Sequence, residues 1–151
     1  MRAMKQRGFT LLEVVVVVLI IALATAAVAL AISGGLEGAR VRAASKDLVA
    51  ALRATRSKAV VTRESQVLAL DVERRAYRAA GRDWVELPAA MELSMETAAD
   101  EVVDEGVGQI RFFPDGSSTG GNIELRRGEA LWRIDVAWLT GEVRMNPHSN
   151  D

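Results

Sequence analysis

The chain has 151 residues, of which 50% are hydrophobic and 26% are charged, and its formal net charge at pH 7 is −1. This length is suited to one domain of ordinary size, or to a small domain with an added segment. The chain has no cysteine, which excludes disulfide scaffolds, cysteine-based zinc sites and thiol catalysis. Its single histidine, His148, argues against a His-dependent catalytic triad or a multi-histidine metal site. The near-neutral charge argues against a general nucleic-acid-binding protein.

The N-terminal segment predicts entry into a membrane. Residues 2–7 carry three basic side chains and no acid. From Phe9 to Ile32 only three residues are not apolar: Thr10, Glu13 and Thr25. As a helix, residues 14–32 would extend about 28 Å, which is close to the thickness of the hydrocarbon core of a bilayer. Basic residues before the apolar stretch, and none immediately after it, predict a cytoplasmic N-terminus and export of the rest of the chain.

Three interpretations of this segment compete. A cleavable secretory signal would use Ala24-Thr25-Ala26 as its small-residue cleavage site. A plain membrane anchor would require only the apolar length. Neither accounts for Glu13, because a carboxylate at the centre of a spanning helix costs about 2.5–3.5 kcal/mol, and less near the interface, so that it usually has a partner. A third interpretation accounts for both the acid and the short basic leader.

The third interpretation comes from a resemblance. The sequence Arg7-Gly8-Phe9-Thr10-Leu11-Leu12-Glu13-Val14 resembles the prepilin processing motif of type IV pilins and type II secretion pseudopilins. In that family a membrane peptidase cuts after the glycine and methylates the new N-terminus. The resemblance implies cleavage between Gly8 and Phe9, N-methylation of Phe9, and an assembly role for Glu13 as the fifth residue of the mature chain.

Cleavage after Gly8 would place an α-amine four residues before Glu13. Two opposite charges in surroundings of low dielectric constant offset each other's desolvation, whereas either charge alone is costly. The spacing permits pairing within one helix. In a filament of staggered parallel helices, the amine of one subunit would instead meet Glu13 of its neighbour, which is the arrangement that the family is thought to use for register. Both arrangements fit the sequence.

A second helical pattern follows the apolar stretch. Gly34, Gly35 and Gly38 predict a kink or local melting, because each glycine in a helix costs about 0.5–1 kcal/mol relative to alanine. Residues 39–62 contain neither glycine nor proline. Their apolar stripe comprises Val41, Ala44, Leu48, Ala51, Leu52 and Ala59, and another face carries Arg42, Lys46, Arg53 and Ser57. We predict a helix from Phe9 to about Thr62, roughly 80 Å long.

From Glu64 the hydrophobic period changes to two, which is typical of short strands. The predicted strands are 67–72, 84–87, 91–95, 110–112, 123–125, 132–138 and 143–145. Trp132, Ile134, Val136 and Trp138 are predicted to share a half-buried face, with Arg133 and Asp135 opposite. The predicted fold class is α+β, with a long N-terminal helix followed by an antiparallel β domain, either a small two-sheet sandwich or one sheet wrapping the helix. The predicted segments are a leader (1–8), a transmembrane and assembly helix (9–32), its amphipathic continuation (33–62) and a periplasmic β domain (63–151).

Charge is segregated along the exported part. Residues 40–82 contain 11 basic and 4 acidic side chains, whereas residues 83–105 contain 8 acids and no base. The basic block favours a solvated helix face near anionic phospholipid headgroups. The alternatives are contact with an acidic patch on a neighbouring subunit and, less favoured, nucleic-acid binding.

Candidate chemistry in the predicted β domain is weak. Asp100, Glu101, Asp104 and Glu105 supply the oxygen ligands that calcium prefers, but a solvated acidic loop is favoured. Gly116 and Gly121 have the spacing of a phosphate loop, yet a strand follows instead of a helix. Ser117 and Ser118 have no nearby base in the sequence. We predict no enzymatic activity, no metal and no cofactor.

The same region carries a second resemblance. Phe112–Gly121, Trp132–Ile134 and Val136–Gly141 resemble the C-terminal half of general secretion pathway protein H, the family of minor pseudopilins H. One departure is Glu142, where relatives often have arginine. The resemblance implies a structural subunit of the type II secretion pseudopilus, which exports folded proteins across the outer membrane. It also implies a single-pass protein of the bacterial inner membrane with its N-terminus in the cytoplasm.

The partners implied are other major and minor pseudopilins, the prepilin peptidase, the inner-membrane secretion platform and the lipid bilayer, and no nucleic acid is expected. Two alternative functions remain. One is a minor type IV pilin that acts in pilus assembly or DNA uptake, and the other is a membrane-anchored periplasmic binding domain.

Overall fold

A computed structural model describes residues 10–97, 102–104 and 106–149, with side chains described except at 29–37, 102–104 and 147–149. The chain divides into two compact units, Met1–Gly38 and Ala39–Asp151. Each unit is considered by itself below.

One helix, α1, runs from Leu11 to Thr62. Thr10 caps its N-terminus, because the Thr10 hydroxyl oxygen accepts a hydrogen bond from the Glu13 N–H at 3.2 Å. Its C-terminus is followed by Arg63 in the left-handed conformation (φ 57°), as is common just after a helix. The predicted helix from Phe9 to about Thr62 is therefore confirmed from Leu11 onward.

The helix continues through Gly34, Gly35 and Gly38, so of the two predicted outcomes local melting is wrong and a kink stays a prediction. The cost of a glycine, about 0.5–1 kcal/mol, is small beside the cooperative hydrogen bonding of the helical turns on both sides. The boundary between the two compact units nevertheless falls at Gly38.

In the first unit, α1 has an apolar surface that nothing in that unit covers. Residues Leu11–Val28 form an 18-residue stretch with a mean hydropathy of 2.9, none of it buried. This helix is long and apolar enough to cross a membrane. The one hydroxyl within residues 11–28 has hydrogen-bond partners in the same helix, because Thr25 donates to the carbonyl oxygens of Ile21 and Ala22 at 2.9 Å.

In the second unit, the described residues form nine strands in two sheets, and all paired neighbours are antiparallel. The strands are β1 Gln66–Asp71, β2 Ala76–Ala79, β3 Val85–Glu86, β4 Glu92–Glu96, β5 Val102–Asp104, β6 Val107–Phe112, β7 Gly121–Arg127, β8 Ala130–Val136 and β9 Val143–Ser149. The first sheet has the order β3-β2-β1-β6-β5, and the second has the order β4-β7-β8-β9. The predicted α+β class with a two-sheet β domain is confirmed.

A single hydrophobic cluster joins the second half of α1 to both sheets. Leu48 and Leu52 from the helix, Phe112 from the first sheet, and Ile123 and Ile134 from the second are all fully buried in it. The predicted apolar stripe is confirmed. Two polar residues of the same helix face are buried as well, and their hydroxyls donate to carbonyl oxygens one turn earlier: Ser45 to Val41 at 2.9 Å and Thr55 to Ala51 at 2.7 Å.

Two strands, β2 and β5, were not predicted. β2 has the short sequence Ala-Tyr-Arg-Ala, which gives little hydrophobic alternation, and it is defined instead by the turn before it. That turn is closed by the Asp71 carboxylate, which accepts from the Arg74 N–H at 2.8 Å, while Arg75 adopts a positive φ of 51°. The prediction that Trp138 continues the buried face of β8 is wrong. The strand ends at Val136, and Trp138 is 67% exposed.

Candidate assembly helix and loop junction

The start of α1 carries the first candidate site. Gly8 and Phe9, the predicted cleavage and methylation positions, lie outside the described residues. Glu13 lies in the first helical turn with its side chain exposed. A carboxylate there is favoured by the positive end of the helix dipole. Among the residues that the structure describes, no cation pairs with Glu13.

Sequence reasoning missed a local role for Glu13. Thr10 and Glu13 have the spacing of a capping box, in which a threonine caps the helix and a glutamate three residues later favours the same end. The structure contains the first half of this motif, the Glu13 N–H bond to the Thr10 hydroxyl oxygen. The pattern Thr-x-x-Glu immediately before an apolar run was the signal for it.

The second candidate site is a junction between two loops and the helix. We define the loop junction as residues 113–120, residues 137–142, and the side chains of Arg53 and Arg56. Arg56 Nε donates to the carbonyl oxygens of Gly116 at 3.0 Å and Thr140 at 3.1 Å, so one guanidinium holds both loops. Arg53 Nη2 donates to the Val143 carbonyl oxygen at 3.0 Å, just beyond the second loop. The two loops therefore have fixed positions on α1.

The loops also contact each other directly. The Ser118 N–H donates to the Trp138 carbonyl oxygen at 2.8 Å, and the Ser118 hydroxyl donates to that of Ala137 at 3.1 Å. Gly141 has a positive φ of 61°, and a Cβ there would overlap the carbonyl oxygen of Gly116. Glycine is therefore required at position 141 both by its conformation and by the close approach of the two backbones.

The polar side chains of the first loop form hydrogen bonds that stabilise the loop junction itself. The Asp115 carboxylate accepts from the N–H of Ser117 at 2.9 Å and from its hydroxyl at 2.6 Å. These hydrogen bonds hold the pKa of Asp115 below its usual value, with the hydroxyl contributing most. Ser118 is buried and bonded to the second loop. In this structure both serines organise the loop junction.

Glu142, where relatives often have arginine, forms a salt bridge with Arg144 of the same chain. Its two carboxylate oxygens accept from Arg144 at 2.9 and 2.8 Å. This bond, with smaller contributions from the charges of Arg53 and Arg56, keeps the pKa of Glu142 below its usual value. The acid is therefore ionised and neutralised locally.

Of the predicted acidic loop, Asp100, Glu101 and Glu105 lie outside the described residues, as does the side chain of Asp104. Within the described part of the chain, no group of three acidic or histidine side chains is arranged to hold a metal ion.

Two regions of the chain match known protein families. Residues 44–140 match the family described as type II transport protein GspH, and residues 3–29 match the prokaryotic N-terminal methylation motif. The chain is also 43% identical over 141 residues to the type II secretion system protein H of Xanthomonas campestris pv. campestris. That alignment covers 93% of this chain and 83% of the relative.

Two solved structures share the fold. The minor pseudopilin EpsH from the type 2 secretion system of Vibrio cholerae matches with a TM-score of 0.57 and 12% identity, over 72% of this chain and 97% of that one. The type IV minor pilin FimU of Pseudomonas aeruginosa matches with a TM-score of 0.58 and 13% identity, over 76% and 93%. At these identities the likeness shows the fold alone.

The contact between the two loops predicts a difference between two glycine substitutions. Gly128 has a similar φ of 56° but nothing within 4 Å of an added Cβ, so Gly128→Ala should lose only the conformational cost, about 1–2 kcal/mol. Gly141→Ala should lose a further ~1–3 kcal/mol, because the two loops have to separate. Urea unfolding of residues 39–151 measures both. Equal losses of stability for the two variants would show that the two loops separate at residue 141 with no loss of free energy.

Proposed function

The chain belongs to the type II transport protein GspH family, and we propose that it acts as a minor pseudopilin, a structural subunit of a type II secretion pseudopilus. The observation that carries this proposal is the combination, in one chain, of the GspH match over residues 44–140 with the methylation motif over residues 3–29. The apolar helix and the two-sheet domain supply the two parts that such a subunit requires.

We propose that a prepilin peptidase removes residues 1–8 and methylates Phe9. The cut would leave the α-amine one residue before Thr10, the cap of α1. A positive charge at that end opposes the helix dipole, and its desolvation in a membrane is costly. The carboxylate of Glu13, on the first turn, is the counter-charge available on this chain. Assembly of the filament would use this pair to set the position of one helix along another.

The rest of α1 up to residue 32 would anchor the chain in the inner membrane, with its N-terminus in the cytoplasm and the β domain in the periplasm. In this arrangement the exposed apolar surface of residues 11–28 lies in lipid before assembly, and against other pseudopilin helices after it. The secretion platform of the inner membrane would drive that transfer. The β domain would remain outside the membrane.

The processing step predicts a defined N-terminus. Protein purified from its native host should begin at Phe9 and carry one added methyl group, because Gly8 directly precedes the apolar stretch in the sequence and follows three basic residues that favour a cytoplasmic N-terminus. Mass spectrometry of the intact chain and of its N-terminal peptide measures this. An N-terminus at Ala27 would establish an ordinary signal peptide and contradict the proposal.

Glu13→Ala should leave membrane insertion intact, because it removes a charge from an apolar segment. Incorporation into the filament should fall at least about tenfold, because the unpaired amine would cost more than about 1.4 kcal/mol in surroundings of low dielectric constant. Membrane fractionation and quantification of the chain in sheared filaments measure the two effects.

Thr25→Ala is the matched control, since this hydroxyl donates to carbonyl oxygens of its own helix and to no other described residue. Normal incorporation of the Glu13→Ala variant into filaments would show that Glu13 is not required for assembly.

The alternative function is a minor type IV pilin that acts in pilus assembly or DNA uptake; FimU and EpsH share the fold to the same degree, so binding to DNA has to be tested directly. Residues 36–151 carry 16 basic and 19 acidic side chains, and neutralising several phosphates requires clustered cations. We therefore expect no duplex binding tighter than about 1 μM at physiological salt in a mobility-shift assay. Tight, salt-sensitive binding would favour the DNA-uptake pilin.

A further inference from the structure

Two large apolar side chains are displayed side by side on the second loop of the junction. Trp138 is 67% exposed and Leu139 is 66% exposed. Among described residues after α1, the other large apolar side chain with comparable exposure is Val85, at 46%, in the short edge strand β3. Isolated exposed apolar residues are ordinary, but a neighbouring tryptophan and leucine indicate a contact surface.

The backbone that carries this pair is held at several points. The Trp138 carbonyl oxygen accepts from the Ser118 N–H at 2.8 Å, and the Gly141 N–H donates to the Ala137 carbonyl oxygen at 2.8 Å. Arg56 holds the Thr140 carbonyl oxygen at 3.1 Å. A rigid loop loses little conformational entropy on binding, so its exposed side chains are preorganised as anchors. Tryptophan is enriched among the residues that dominate protein interfaces.

The charges around the pair define what would cover it. Arg53 and Arg56 lie against this loop, and both donate to carbonyl oxygens. Neither forms a salt bridge with a carboxylate among the described residues. The nearby acid Glu142 is paired with Arg144. A complementary partner therefore presents an apolar pocket with carboxylates at its rim.

Among the described residues, the groove that a second copy of this chain would offer is a poor match for this loop. The β domain has a groove of about 500 Å³ between α1 and strands β2 and β3, and four of its eleven lining residues are alanine. The groove is bordered by Lys58 and Arg82, against one carboxylate, Asp83. Docking the arginine-flanked loop there would bring like charges together, which disfavours a contact between identical copies.

We propose that Trp138 and Leu139 are the anchor by which the β domain binds a different pseudopilin, in an apolar pocket rimmed with carboxylates. This inference depends on the proposed function, because it takes the partner to be another subunit of the same filament.

Crosslinking tests the proposal directly, since the natural chain has no cysteine and one introduced thiol is therefore unique. Full-length Leu139→Cys, expressed in its native host, is labelled in membranes with a maleimide-benzophenone reagent and irradiated. Mass spectrometry of the adduct should identify a different pseudopilin, at a yield at least tenfold above that of Val85→Cys, the exposed control on another edge of the domain. Equal yields, or an adduct mainly with lipid or with a second copy of this chain, would overturn the proposal.

Co-purification provides a second measurement. Trp138→Ala should retain at least tenfold less of the other pseudopilins than the wild type, and Val85→Ala should retain as much. Leu139→Asp should show the same loss, and it serves as the deciding variant if Trp138→Ala lowers the melting temperature. Undiminished retention by a folded Leu139→Asp variant would overturn the role of the loop and leave the minor pseudopilin function standing. Failure of the wild type to retain any pseudopilin would instead overturn the proposed function.

Discussion

The structure depends on a helix that has to satisfy two different environments. In residues 11–28 the large apolar side chains of α1 are exposed, at 45–86% of their surface, and they require an apolar medium from outside the chain. From Val41 onward one face of the same helix is buried in the core of the β domain, where each fully buried leucine contributes about 1.5–3 kcal/mol. The same helix therefore carries both an apolar stretch long enough to cross a membrane and one face of the core that it shares with the two sheets.

The loop junction follows from that arrangement. Because Leu52 and Ala59 face the core, the two arginines at positions 53 and 56 project from neighbouring positions on the helix and reach the loops after β6 and β8. The single Nε–H of Arg56 is shared between two carbonyl oxygens, and the planar guanidinium fixes the direction of that N–H more sharply than a lysine ammonium would. The positive φ of Gly141 then allows the two backbones to meet. The position of each loop is thus set by the register of α1.

The sequence predicted features that depend on local pattern. The helix, its buried stripe and the alternation of Ile134 and Val136 against Arg133 all follow from periodicity. Features that depend on tertiary contacts were not predicted: β2 has only a short apolar pattern, and Trp138 lies in the turn between β8 and β9, which the Ala137 N–H closes by donating to the Glu142 carbonyl oxygen at 3.0 Å. The roles of Arg53 and Arg56 were missed for the same reason. Processing at Gly8 and Phe9 stays a prediction.

Recognition between subunits requires more than the apolar helix. Helix surfaces made of valine, leucine and isoleucine pack on lipid about as well as on each other, so they discriminate poorly between partners. Elsewhere on the β domain, charged groups of the second sheet are paired among themselves, as Arg133 is with Glu124 at 3.1 Å and with Asp135 at 2.8 Å. Such paired charges gain little from a new partner. A rigid loop with exposed apolar side chains gains most from being covered, which concentrates specificity at the junction that α1 itself holds in place.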